Sequence, residues 1–259
     1  MSRLDETLDD LAPRVSQCMD IPGEYNPRHC LAIYCFSAAG ESFIEPGKVL
    51  GDAISMYNPL GCVMLEGLPA KIPGGAILVA RYDELKRERP DLLEGMPEIS
   101  EPGQYAIRLG RSALIVSLSH DGLSAGMHTL AMILLRYGKP LLPGSVIMDK
   151  PTCQCRGLAL ELTPKDIEAG TLIQIASFAA TFRANRLHVI LPADFEPTAE
   201  IPGINAFIAL CRSFGIETGV RLPWLADILS GRRGLRQTWS RLRVIARMFG
   251  ASQASLDDA

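Results

Sequence analysis

The sequence predicts an α/β chain: a small α+β unit of paired strands and one strong helix over 31–150, then βα units in series from about residue 152. Three observations carry this. The stretch 155–194 reads strand, helix, strand within about forty residues, the signature of a βαβ unit and a parallel sheet. The stretch 204–222 repeats helix then strand. Before them, Tyr105-Ala106-Ile107-Arg108-Leu109 alternates like a half-buried strand, and 113–118 follows as a hairpin partner across Gly110-Arg111-Ser112. βα units in series suit a doubly wound sheet or part of a (β/α)8 barrel.

Taken in order, residues 1–30 suggest a short helix (Leu4, Leu8, Leu11, Val15) and a Pro/Gly-rich loop over 21–28. A strand follows at 31–36 and a helix at 46–57, with Val49, Leu50, Ala53 and Ile54 on one side. Short strands are expected at 62–65 and 76–80, and a charged, proline-containing exposed connection over 83–102. After the hairpin, Asp121-Gly122 opens a helix through Leu123, Met127, Leu130, Ala131, Leu134 and Leu135. Leu141-Leu142-Pro143-Gly144 reads as a loop, and Val146-Ile147-Met148 leads through Asp149-Lys150-Pro151 to a strand at 157–162. Thr163 is placed as N-cap and Pro164 as first residue of the next helix, whose apolar positions include Leu172, Ile175, Ala176, Ala179 and Phe182. Asn185-Arg186 turns into a strand at 187–191, stopped by Pro192. A helix over 204–214 ends at Gly215, and a strand over 216–222 stops at Pro223. Residues 225–249 have helical periodicity, with Leu235, Trp239, Leu242, Ile245 and Phe249 on one side and arginines on the other.

The bulk numbers narrow the class. The chain has 259 residues, 47% hydrophobic and 21% charged, which suits a globular protein with a real core. A net charge of −3 gives no reason to expect nucleic acid. The start, MSRLDETLDD, is acidic and lacks an apolar core, so no secretory signal is expected, and no uncharged run reaches the roughly 20 residues of a membrane span. Seven scattered cysteines without a secretion signal fit a reducing cytosol. No ligand spacing points to a metal, and no motif points to a cofactor.

A set of short motifs falls in a particular order: Gly103-Gln104-Tyr105, Gly126-Met127-His128-Thr129-Leu130, Asp149-Lys150-Pro151, Arg156-Gly157-Leu158, Asn185-Arg186-Leu187-His188 and Gly215-Ile216-Glu217. In this the chain resembles the family 20 glycoside hydrolases, the β-N-acetylhexosaminidases, over about residues 100–222. That family carries a small α+β domain ahead of a (β/α)8 barrel, with a Gly-Tyr strand, a G-x-x-T-L helix, a D-x-P loop, an R-G-x-x-L-D first strand and an N-x-L-H-x-H second strand. The resemblance implies an accessory domain over 31–150 and barrel units over 152–259. It also carries departures. Pro164 stands where the family has a sugar-binding arginine, and Ile190 where it has its second histidine. The family's acid pair, in an H-x-G-G-D-E setting, has no counterpart: Asp-Glu occurs only at Asp5-Glu6 and Asp83-Glu84. A full barrel takes roughly 200–250 residues, so three or four βα units are expected after Cys155, an incomplete (β/α)8 barrel.

Barrel chemistry sits at the C-terminal ends of the strands. Glu161, Asp194 and Glu196 are the candidate catalytic carboxylates there, since glycosidase chemistry needs two carboxyl groups about 5–9 Å apart. Their competing reading is solvated loop acids or ion pairs with Lys165 or Arg221. His188, Arg221 and Trp224 are the candidate ligand contacts; for His188 the competing reading is a satisfied buried histidine. His128 reads as structural. The expected function is that of a non-catalytic relative of the hexosaminidases, acting in binding or assembly on a carbohydrate-bearing ligand or a protein partner. The alternatives are an active hydrolase with a non-standard or subunit-shared site, and a peripheral membrane or scaffold protein using the Arg-rich C-terminal helix. An unclosed parallel sheet exposes an edge and an apolar face, so a homo-oligomer or an obligate partner is expected to cover it.

Overall fold

The computed structural model describes residues 4, 7, 8, 15–37, 43–150, 156–161, 169–190 and 204–221. The chain divides into two compact units, one holding Met1–Gln154 with Ser213–Gly215 and the other Cys155–Arg212 with Ile216–Ala259. The predicted class holds: an α+β unit of paired strands and helices is followed by the opening βα units of a (β/α)8 barrel.

The first unit is built on a mixed sheet. Its strands are β1 (Gln17–Tyr25), β2 (Ala32–Phe36), β3 (Val63–Glu66), β4 (Ile77–Arg81), β5 (Tyr105–Leu109), β6 (Ala113–Ser117) and β7 (Leu142–Asp149), in the spatial order β1-β7-β5-β6-β4-β2-β3. The expected hairpin is present, with Ile107 opposite Ile115. Strand alternation sorts the side chains onto two faces. Ile33, Ile77, Val79, Ile107, Ile115 and Ile147 join a core with helices α1 (Ile44–Ser55) and α3 (His120–Tyr137). Leu78, Ala80, Ala106, Leu114 and Val116 face the other way, where Tyr82 and Leu85 of α2 (Tyr82–Glu88) and Ile99 cover them.

Three stretches differ from expectation. Within 83–102 a short helix, α2, and a 3-10 turn at Pro90–Leu93 cover the sheet; the run of charges hid the two inward residues, Tyr82 and Leu85. The expected loop over 21–28 is largely strand β1, and Leu141–Gly144 leads straight into β7. These two errors have one cause. The β1–β7 ladder shifts register between Asp20 and Glu24, and Pro143-Gly144 lies across that bulge. A Cβ at Gly144 would stand 2.7 Å from the carbonyl oxygens of Ile21 and Gly23, so glycine here permits close backbone approach rather than a turn.

Helix α3 begins where the sequence places it. Ser119 is its N-cap, accepting from Gly122 N, and Gly138 closes it in the left-handed region at φ 64°. Two glycines let it lie close to the sheet. A Cβ on Gly126 would fall 2.6 Å from Ile115 Cγ2, and one on Gly122 would fall 2.1 Å from Ser117 Oγ.

The motif residues of this unit meet in a buried polar network. The Tyr105 hydroxyl donates to Asp149 Oδ2 at 3.1 Å and lies 2.6 Å from Thr129 Oγ1. Asp149 Oδ1 accepts from Ser16 N at 3.1 Å and from Ser16 Oγ at 2.6 Å, just ahead of β1. Gln104 ties in the approach to β5: its Oε1 accepts from Ser100 N, and its carbonyl oxygen accepts from Ser117 Oγ.

The second unit's sheet is parallel throughout. Strands β8 (Gly157–Glu161), β9 (Arg186–Ile190) and β10 (Glu217–Arg221) pair in chain order, with helices α4 (Ala169–Thr181) and α5 (Ile204–Ser213) in the crossovers. Gly215 adopts φ +74°, as its reading as a helix-ending glycine requires. Thr163 and Pro164 and the C-terminal stretch 225–249 lie outside the described residues.

Removing the Tyr105 hydroxyl takes one hydrogen bond from the buried Asp149 carboxylate. Tyr105→Phe is expected to lower stability by about 1–3 kcal/mol, and Gly126→Leu by a similar or larger amount through overpacking. Urea unfolding followed by circular dichroism measures both; unchanged midpoints would mean that neither the network nor the close approach holds α3 in place.

Candidate functional site

In parallel strands of a barrel the reactive end is the C-terminal one, and alternation decides which side chains share a face. Leu187 and Val189 of β9 are buried, as are Leu172, Ala176 and Ala179 of α4 and Phe207, Ile208 and Cys211 of α5. Arg186, His188 and Ile190 therefore share the opposite face, where Arg186 and His188 are exposed. Register extends the rows. Gly157, Arg186 and Glu217 are neighbours at the N-terminal ends; Ala159, His188 and Gly219 lie in the middle; Glu161, Ile190 and Arg221 close the C-terminal ends.

His188 is thus exposed on an open strand face, not a satisfied buried histidine. It sits between two small residues, and a Cβ at Gly219 would be 3.4 Å from the imidazole Cε1 and Nε2. Small neighbours leave the ring's edges accessible, so either nitrogen can donate or accept toward a bound molecule. Glu161 is also exposed, at the end of β8. Among the described side chains it is the one carboxylate at the C-terminal strand ends. Arg221 is placed by its backbone pairing with Ile190. Asp194, Glu196 and Trp224 lie outside the described residues.

The lower end of the same sheet is held by motif residues that sequence reasoning had linked to the family but given no role. Asn185 Oδ1 accepts from Arg156 N at 2.8 Å, its N–H donates to Arg156 O, and its carbonyl accepts from Glu217 N at 2.8 Å. One residue thereby joins the starts of all three strands. Arg156 Nε donates to Arg183 O at 2.8 Å, holding a non-glycine residue at φ 55°. Arg186 Nε pairs with Glu217 Oε2 at 3.0 Å in the open. His128 of the first unit is buried, with Nδ1 2.8 Å from Ser124 O, and is structural as expected.

Among the described residues no group of three or more His, Cys, Asp or Glu could hold a metal ion, and no helix is long and apolar enough to cross a membrane. The exposed face offers hydrogen-bonding groups and small residues; it does not assemble a paired-carboxylate centre from described side chains.

Exposure separates the two sides of β9. His188→Ala is expected to change stability by no more than about 0.5 kcal/mol, whereas Leu187→Ala should cost about 2–4 kcal/mol. A large loss from His188→Ala in the same urea titration would place the ring in the core instead.

No protein-family model matches the chain, and no curated protein matches it in sequence. Solved structures do match in fold. The chain is similar to CpGH84D with a TM-score of 0.61 at 12% identity, covering 93% of this chain and 42% of that one. It is similar to the GH20 β-N-acetylhexosaminidase of Streptomyces coelicolor A3(2) with a TM-score of 0.58 at 14% identity, covering 82% and 46%. Against the Flavobacterium johnsoniae chitobiase the TM-score is 0.56 at 15% identity, covering 85% and 35%. The chain spans less than half the length of each. Structures from both GH84 and GH20 share this fold, so the likeness reaches the architecture and does not select between the two families.

Proposed function

We propose that this chain is a non-catalytic relative of the β-N-acetylhexosaminidases, at work in the cytosol, where it binds or assembles around a carbohydrate-bearing ligand or a protein partner through the open face of the β8–β10 sheet. The observation that carries the proposal is the exposed His188 between Ala159 and Gly219, with Glu161 one row above it. Flat, partly small-residue surfaces with a few hydrogen-bonding groups suit recognition of sugar hydroxyls and amides.

Two sequence departures support the non-catalytic half of the reading. Pro164 replaces the sugar-gripping arginine that the resemblance leads one to expect, and Ile190 replaces the second histidine. Hydrolysis of a glycoside by two carboxyl groups needs them about 5–9 Å apart, and at the described strand ends Glu161 has no second carboxylate beside it. The assembly half is supported by exposed apolar side chains on α4 and just after it: Ile173, Phe178 and Phe182 are 45%, 57% and 43% exposed, and the two phenylalanine rings lie 4.6 Å apart. A second copy of the chain or another protein would cover them.

Calorimetric titration with N-acetylglucosamine oligomers tests the ligand. Saturable binding is expected, weakened about tenfold by His188→Ala and by Gly219→Leu, roughly the value of one lost hydrogen bond or a blocked approach. A chromogenic N-acetylglucosaminide should release no aglycone; release abolished by Glu161→Gln would replace this reading with an active hydrolase. Light scattering on the full chain should give more than one chain's mass, and Phe178→Ser should reduce it.

A further inference from the structure

The first unit holds a second chemical feature, far from sugar chemistry in kind. Cys30 follows the short 3-10 turn Pro27–His29 and is fully buried; Cys62 precedes β3 and is partly exposed. The two thiols lie beside each other, both packed at the same core, close enough for each to shift the other's ionisation. The surrounding backbone holds them there. Val63 N donates to Leu31 O at 3.0 Å, opening the parallel β2–β3 ladder in which Ala32 faces Val63. Asn58 Nδ2 donates to Cys30 O at 2.8 Å and to Gly61 O at 2.9 Å, bracing the residue before Cys62 against Cys30 itself. Gly61, at φ +70°, supplies the turn, and a Cβ at Gly51 of α1 would be 3.6 Å from Cys62 Sγ, so the helix packs beside the sulfur without crowding it.

We propose that Cys30 and Cys62 are a reversible dithiol–disulfide pair, with Cys62 the thiol that reacts first and Cys30 the one that closes the bond. The oxidant is a low-molecular-weight disulfide of the glutathione class. The Cys62 thiolate attacks one sulfur of that disulfide, its S–S bond breaks, and one small thiol leaves, giving a mixed disulfide on Cys62. Cys30 then loses its proton and attacks the Cys62 sulfur, and the second small thiol leaves. Two protein thiols are oxidised, one small disulfide is reduced to two thiols, and a small thiol in excess reverses both steps.

The order follows from access. Cys62 meets solvent and Cys30 does not, so reagent reaches the buried sulfur only through its partner. The thiol chemistry agrees: the hydrogen bond from Cys30 lowers the Cys62 thiol below the ordinary cysteine value, while that same bond and then burial push Cys30 up. Burial pushes Cys35 and Cys211 each up to about 12, which leaves them unreactive at neutral pH. Because Ala32 pairs with Val63, Cys30 stands one residue diagonal to Cys62; adjacent strands lie about 4.8 Å apart and disulfides span Cα separations of about 4.4–6.8 Å, so such a diagonal pair is within reach. The closed loop would contain all of β2 and α1.

The test uses the full chain treated with glutathione disulfide, quenched by alkylation and mapped by peptide mass spectrometry. The expected product is an intramolecular Cys30–Cys62 cross-link, with a melting midpoint about 5–10 °C above the reduced chain from the closed loop. Cys30→Ser should stop at the mixed disulfide on Cys62, and Cys62→Ser should leave Cys30 unmodified. The wild-type map decides the matter even where a variant folds poorly. A stable Cys62 adduct in the wild-type chain, a cross-link between other cysteines, or an unmodified Cys62 would each overturn the pairing.

Discussion

A buried carboxylate must be satisfied or it destabilises the fold by several kcal/mol, and Asp149 draws hydrogen bonds from distant parts of the chain. Ser16 reaches it from ahead of β1, Tyr105 from β5, and Thr129 stands behind Tyr105 on α3. The Thr129–Tyr105–Asp149 contacts tie α3 to the sheet, and Gly122 and Gly126 make that close approach sterically possible. The second unit repeats the logic on a smaller scale, where Asn185 joins three strand starts with a single side chain and its own backbone. In both units these residues hold backbone in place.

The likeness to solved structures at 12–15% identity is one of fold. Tyr105, Thr129, Asp149, Arg156 and Asn185 each hold a local geometry that the fold uses.

Much of the architecture was legible in the sequence. Strands β4 and β6 are short continuous apolar runs because both faces of the sheet are covered, and such runs bounded by turn residues read as strands. Pro143-Gly144 and the stretch 21–28 misled because Pro and Gly ordinarily announce turns, whereas here they accommodate a bulge that exists only once β1 and β7 are paired; no local pattern reports a partner 120 or so residues away. The short helix α2 was hidden because few of its residues are apolar: Tyr82 and Leu85 turn inward with the charged Glu84, and the rest are polar. Of the candidate site, the sharing of a face by His188 and Glu161 follows from alternation and register, but the exposure of His188 does not: burial depends on what closes over the strand, and apolar neighbours in sequence belong to the other face.

The margins of the larger sheet carry a consequence for solubility. Strand β3, at one end, is only four residues long and is bracketed by Gly61 at φ +70° and Gly67 at φ +97°, so its backbone leaves the extended conformation on both sides. Strand β1, at the other end, is broken by its bulge between Asp20 and Glu24. An incoming foreign chain would find few consecutive amides and carbonyls to zip onto at either border of this sheet, even though Val63 and Leu65 present apolar surface to water.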